Sequence, residues 1–235
     1  MTEPCNLPDL IDVPSPNFDE RKSPVTMLVL HYTGMVDADS AIARLADPEA
    51  KVSAHYVVDE DGRIFRMVDE DKRAWHAGRS WWRGIEDVNS ASIGIEIVNP
   101  GHEFGYRPFA EAQIDALIPL VADISQRHGL TRGNIVGHSD VAPVRKQDPG
   151  EFFPWHRLAR LRLALPRPTK NLLDPYWSDG SFLLALERFG YDVSDREAAV
   201  RAFQRRFRPE MIDGIIDGEC RAILLALLLP RPQGD

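Results

Sequence analysis

Two short apolar runs, Thr26–Leu30 (TMLVL) and Ser92–Val98 (SIGIEIV), constrain the fold most. Each is too short for a helix, and the second alternates as a strand does. Pro24 and Gly34 bound the first, and Asn99-Pro100 stops the second. Close by, Phe109–His128 carries Ile114, Leu117, Ile118, Val121 and Ile124 at a helical period. Strand-length runs interleaved with amphipathic helices bury their apolar sides by laying helices on a sheet. The expected fold class is α/β, a mixed central β-sheet covered by helices. Ser40–Leu45 reads as a short helix ended by Pro48. His55–Val58 and Arg63–Val68 flank Asp59-Glu60-Asp61-Gly62, where Asp-Gly marks a hairpin turn. In the long helix, Pro119 predicts a bend or a restart, and Gly129 a C-cap. Ile135–Val136 predicts one more strand, and Leu158–Leu165 a further helix.

The pattern changes after residue 165. Pro166, Pro168 and Pro175 crowd a polar stretch, which is linker chemistry. Beyond it strand signals stop, and Phe182–Phe189, Asp195–Phe207 and Glu219–Leu229 read as three amphipathic helices. Ser194 suits an N-cap, with Glu197 completing a capping box. The expected organisation is an extended N-terminal arm (1–24), a main domain (25–167), a linker (168–177) and a small three-helix domain (178–235).

With 235 residues, 43% hydrophobic and 27% charged, the chain has the composition of a soluble globular protein with a sizeable core. A net charge of −8 repels phosphate backbones, so nucleic acid is not an expected partner. Cys5 and Cys220 stand near opposite ends and read as free thiols of a reducing compartment. The N-terminal stretch has no basic start followed by an apolar run, and no window is apolar enough to span a membrane. A cytoplasmic monomer is expected. A start codon assigned too late would hide a signal, which keeps a periplasmic location as the alternative.

Chemistry-bearing residues gather at strand ends. His31 follows TMLVL, His138 follows Asn134–Val136 and Gly137, and Asp148 comes ten residues later in VAPVRKQDPG. Two histidines and an aspartate are a three-ligand set that leaves zinc an open position. By spacing alone, a histidine at a strand end also suits a surface role, and Asp148 before Pro149 a turn. Glu96 interrupts the apolar alternation of SIGIEIV. Buried, it would have a raised pKa and could act as a general base; on an open strand face it would be an ordinary solvated charge. Lys146 could set its ammonium over a developing oxyanion or simply be solvated. The segment RAWHAGRSWWRG packs Trp75, Trp81 and Trp82 with His76 and three arginines. That suits sugar stacking and carboxylate binding, or a loop pinned by tryptophans in the core.

Taken together, VLHYTG, SAHYVVDEDGRI, DKRAWHAG, SIGIEI and GHSDVAPVRKQDPG resemble the type 2 N-acetylmuramoyl-L-alanine amidases. These are the AmpD/AmiD-like enzymes, related to phage T7 lysozyme and the peptidoglycan recognition proteins. The resemblance spans residues 14 to 165. It implies hydrolysis of the amide between N-acetylmuramic acid and L-alanine, with one Zn2+ per chain held by His31, His138 and Asp148. It assigns Glu96 as the catalytic carboxylate, Lys146 as the stabiliser of the tetrahedral intermediate, and His76 to the substrate groove. Trp75, Arg79 and Tyr32 are further candidate substrate contacts. The implied substrate is a recycled 1,6-anhydromuramoyl peptide in the cytoplasm, or the wall itself in the periplasm. Recognition proteins of this kind that lost a zinc ligand are non-catalytic sensors, but this sequence keeps every ligand. The tail, AVRAFQRRFRPEMIDGIIDGECRAIL, resembles a type 1 peptidoglycan-binding domain. Its alternative is a helical appendage that only packs on the main domain.

Overall fold

The two apolar runs become neighbouring parallel strands in a six-stranded sheet. The computed structural model describes residues 9–170 and 172–229. In chain order, its elements start with β1 (Leu10–Asp12), β2 (Phe18–Glu20), β3 (Met27–Tyr32), α1 (Ala38–Ala46), β4 (Tyr56–Val58), β5 (Ile64–Arg66) and β6 (Lys72–Ala74). There follow α2 (Val88–Ala91), β7 (Ser92–Ile97), α3 (Gly101–Phe104), α4 (Glu111–His128), β8 (Ile135–Gly137), α5 (His138–Val141) and α6 (Trp155–Arg160). The chain then forms α7 (Asp179–Phe189), α8 (Arg196–Phe207) and α9 (Gly218–Leu228). The main sheet runs β1-β5-β4-β7-β3-β8, with β2 and β6 in a separate antiparallel pair. All ladders of the main sheet are parallel except β4–β5, the expected hairpin.

Alternation along β3 and β7 splits their side chains between two faces. Leu28, Leu30, Ile93, Ile95 and Ile97 face α4, where Ile114, Leu117, Val121 and Ile124 meet them. Each such buried aliphatic side chain contributes roughly 1.5–3 kcal/mol. The opposite face is covered in two pieces. Met27, Val29 and Val136 pack with Phe182, Leu186, Phe203 and Ile223 from the C-terminal helices. Val57 and Phe65, on β4 and β5, pack with Ala38 and Leu45 of α1. His31 and Glu96 stand opposite each other in the β3–β7 register, between these two apolar clusters.

Several sequence expectations need correcting in detail. The N-terminal arm is woven into the fold: β1 pairs with β5 and β2 with β6. α4 runs through Pro119 without restarting, and the apolar face on both sides of the proline is anchored on the sheet. Gly129 caps that helix as expected, in the left-handed region at φ 62°. α6 starts earlier than Leu158, directly behind Pro154, and stops before Arg162, whose φ is 61°. Asp195, not Ser194, caps α8, its carboxylate accepting from Ala198 N at 3.0 Å. Aspartate and serine are comparable N-caps, and the Ser194 amide is drawn to Asp192 instead. The proline-rich segment is pinned down, since Arg221 grips Asp174 through Nε at 2.8 Å and Nη2 at 2.7 Å. Cys220 is buried and free, whereas Cys5 lies outside the described residues. Among the described residues, no helix is long and apolar enough to cross a membrane.

Candidate metal centre and active site

Three separate pieces of chain deliver the site. His31 rides on β3, so the sheet fixes its backbone. β8 leads directly into α5, and His138 is the first residue of that turn. The loop after α5 then folds back, with Ser139 N donating to Asp148 O at 2.8 Å. Gly137 makes that return possible, because a Cβ there would lie 2.7 Å from Pro149 Cδ. The result is a buried triangle. The Nδ1 atoms of His31 and His138 lie 2.9 Å apart, and each is 3.0 Å from Asp148 Oδ2.

The outer hydrogen bonds decide where the ring protons sit. His138 Nε2 lies 3.0 Å from the Ala77 carbonyl, which can only accept, so its proton is on Nε2. For His31 the logic runs through three residues. The Ser92 hydroxyl donates to Val88 O at 2.5 Å, so its oxygen is free to accept from His76 Nε2 at 3.1 Å. That leaves His76 Nδ1 as the acceptor for His31 Nε2–H at 3.0 Å. Burial pushes the His31 pKa down to about 4, the nearby His138 adds to the shift, and Asp148 opposes it. Burial likewise holds His76 neutral. Two Nδ1 lone pairs and a carboxylate oxygen therefore converge without a proton to share among them. Such a set repels itself unless a cation sits at its centre. Two imidazoles and one carboxylate are donors that suit zinc.

Beside the triangle, Glu96 Oε1 is 3.9 Å from His31 Nδ1. Its Oε2 is buried and has no hydrogen-bond partner among the described residues. Burial, reinforced by Asp148 and opposed by Lys146, raises its pKa well above the ordinary carboxylate range. This is an unsatisfied proton acceptor next to a metal-ready site. Half-buried Lys146 lines the same cleft, and its charge reaches both His31 and Glu96. The cleft has a volume of about 390 Å³ and opens over His138 and Asp148.

The other sequence candidates divide. Tyr32, Trp75 and His76 line the cleft. His76 also has the outer-partner role described above, which its sequence context did not suggest. Arg79 is not among the residues lining this cleft; it borders a neighbouring hollow with Trp81 and Asp192. Trp82 is a core residue, packed edge-on against Tyr191 and Phe189. Cleft residues that the sequence did not single out include Arg44, His102 and Arg145. Arg44 lies on α1 and its place at the cleft follows only from how that helix docks.

The N-acetylmuramoyl-L-alanine amidase family model matches residues 21–151, which contain all three triangle residues together with Glu96 and Lys146. The chain belongs to the N-acetylmuramoyl-L-alanine amidase family. It is 39% identical over 231 residues to the N-acetylmuramoyl-L-alanine amidase AmiD of Escherichia coli, covering 87% of this chain and 82% of AmiD. It is 36% identical over 180 residues to the 1,6-anhydro-N-acetylmuramyl-L-alanine amidase AmpD of the same organism, covering 67% of this chain and 92% of AmpD. Among solved structures, the E. coli AmiD complex with anhydro-N-acetylmuramic acid-L-Ala-D-γ-Glu-L-Lys superposes with a TM-score of 0.79 at 37% identity, covering 89% of this chain and 91% of that one. Pseudomonas aeruginosa AmpDh3 in complex with an anhydromuramic pentapeptide gives a TM-score of 0.78 at 33% identity, covering 91% and 96%.

Proposed function

We propose that the protein hydrolyses the amide between (1,6-anhydro-)N-acetylmuramic acid and L-alanine, with one Zn2+ held by His31, His138 and Asp148. The observation that carries this reading is the proton-free convergence of two Nδ1 atoms and Asp148 Oδ2 beside the unpartnered Glu96 oxygen. A bound Zn2+ supplies a Lewis acid for the amide carbonyl and makes water ionisable near neutral pH. Glu96, in its ionised form, takes the proton of the attacking water and then delivers it to the leaving amine of L-alanine. Lys146 stabilises the negative charge that develops on the carbonyl oxygen. His76 holds the His31 ring in the tautomer that presents Nδ1. Trp75 and Tyr32, on the cleft wall, contact the substrate.

The substrate reading is a soluble anhydromuropeptide released during wall recycling, handled in the cytoplasm. The AmiD and AmpDh3 complexes with anhydromuramyl peptides support the anhydromuropeptide part of this reading. The organisation proposed is a catalytic domain that takes in the N-terminal strands β1 and β2 and runs to residue 167, a connecting segment (168–177) held by Arg221, and a type 1 peptidoglycan-binding-like unit (178–235). That last resemblance favours a second reading, a periplasmic amidase acting on the intact wall. Rates on a defined anhydromuramoyl tripeptide and on purified sacculi separate the two. Faster turnover of the soluble peptide is expected; release from sacculi with none from the peptide would overturn the recycling role.

A further inference from the structure

Asp140 lies two residues beyond His138 in the short turn α5, is buried, and uses both carboxylate oxygens. Oδ2 accepts from Gly137 N at 2.8 Å, the residue immediately before His138. Oδ1 accepts from the Tyr191 hydroxyl at 2.6 Å. Tyr191 follows α7 and is fully buried, boxed by Trp82 at 5.2 Å and Phe203 at 6.3 Å between ring centroids. Its ring belongs to the core that the C-terminal helices share with β3 and β8. A phenol in that box has little freedom, and its hydroxyl marks one fixed point on the backbone turn that launches His138. A second tie reaches the other end of the same loop, where Arg205 Nη2 of α8 is 3.5 Å from Gln147 Oε1, next to Asp148. Both residues lie beyond the stretch that matches the amidase family, which ends at Glu151.

We propose that Tyr191 is a positioning residue for the metal centre, holding α5 through Asp140 so that His138 meets His31 and Asp148. The C-terminal helices are then a working part of the catalytic unit rather than only a separate binding module. This inference rests on the zinc reading of the site. A metal centre needs its ligands held within a few tenths of an ångström, and partners behind the ligands supply that precision. Removing one hydroxyl removes one anchor and leaves an unpaired buried carboxylate oxygen beside the ligand turn.

The test uses the full chain and reads zinc affinity by competition with a chromogenic chelator, alongside thermal unfolding. Tyr191→Phe is expected to bind zinc about tenfold more weakly, the low end of what loss of an outer partner costs. Ile223→Val, a core change in α9 that leaves the Tyr191–Asp140 hydrogen bond in place, is the control and is expected to keep wild-type affinity at reduced stability. Should Tyr191→Phe fail to fold, Asp140→Ala carries the test, because it removes both acceptors that tie Gly137 N–H and the Tyr191 hydroxyl to the ligand turn, and should weaken zinc at least as much. Zinc affinity within twofold of wild type in the folded variant, or an equal loss in Ile223→Val, would overturn the proposal. A wild-type protein that binds no zinc would instead overturn the reading on which it rests.

Discussion

His31 Nε2 lies 3.0 Å from His76 Nδ1, and this contact sets which nitrogen of His31 faces the metal position. The direction of that hydrogen bond is dictated from behind, by a serine hydroxyl already committed to the Val88 carbonyl. Ser92→Ala removes the constraint and His76→Ala removes the partner itself. His76→Ala should lower zinc affinity about 10- to 100-fold, as outer partners of metal ligands do. Ser92→Ala should show a smaller loss. Chelator-competition titration checks both, and unchanged affinity in His76→Ala would remove it from the ligand support.

Gly94 makes room for this chain of contacts. A Cβ at that position would come 2.4 Å from His76 Cγ. The strand backbone cannot retreat, because β7 is paired on both sides. Gly94→Ala should therefore displace the His76 ring, cost about 1–3 kcal/mol of stability as overpacking does, and weaken zinc. Thermal melts with and without zinc give both effects.

Glu96 offers a test by charge and by pH. Glu96→Gln should retain stoichiometric zinc, checked by metal analysis, and lose about 10²- to 10⁴-fold in kcat. In the metal-free protein the raised pKa has a definite sign. An unfolded glutamate loses its proton near pH 4.3, whereas the folded one holds it to higher pH. Between those values the folded state binds more protons, so wild-type stability falls as pH rises. The glutamine variant has no such loss. The Tm of Glu96→Gln should match wild type below about pH 4 and exceed it increasingly toward neutrality. A pH-independent difference would contradict the buried-carboxylate assignment.

Lys146→Ala should leave zinc content intact and lower kcat by about 10²- to 10³-fold, the usual effect of removing one oxyanion stabiliser. KM should change little, because the interaction grows only as charge develops. A loss confined to KM would make Lys146 a substrate contact instead.

Much of this was legible in sequence for local reasons. TMLVL and SIGIEIV announce β3 and β7 by length and alternation, and a carboxylate inside the second run is conspicuous. The parallel register that sets Glu96 opposite His31 is a long-range fact, and no local pattern encodes it. β2, Phe18–Glu20, has all its residues exposed, so it carries no burial signal and reads as an arm. Trp82 and Trp81 look alike in sequence, yet Trp82 is buried by the helical tail, whose docking cannot be read from composition. Arg79 shares a motif with His76 but borders a different hollow, because the chain between them turns at Gly78, whose φ is 58°. Tyr191 and Asp140 are far apart in sequence, and only the shared core brings the phenol to the ligand turn.

The most direct measurement is mass spectrometry of the products formed from a defined anhydromuramoyl tripeptide by zinc-loaded and chelator-stripped protein. Anhydro-N-acetylmuramic acid and free tripeptide should appear with the zinc-loaded protein, vanish after chelation and return when zinc is restored. Cleavage that survives complete removal of the metal, or a zinc-loaded protein that leaves the muramoyl–alanine amide intact, would contradict the account.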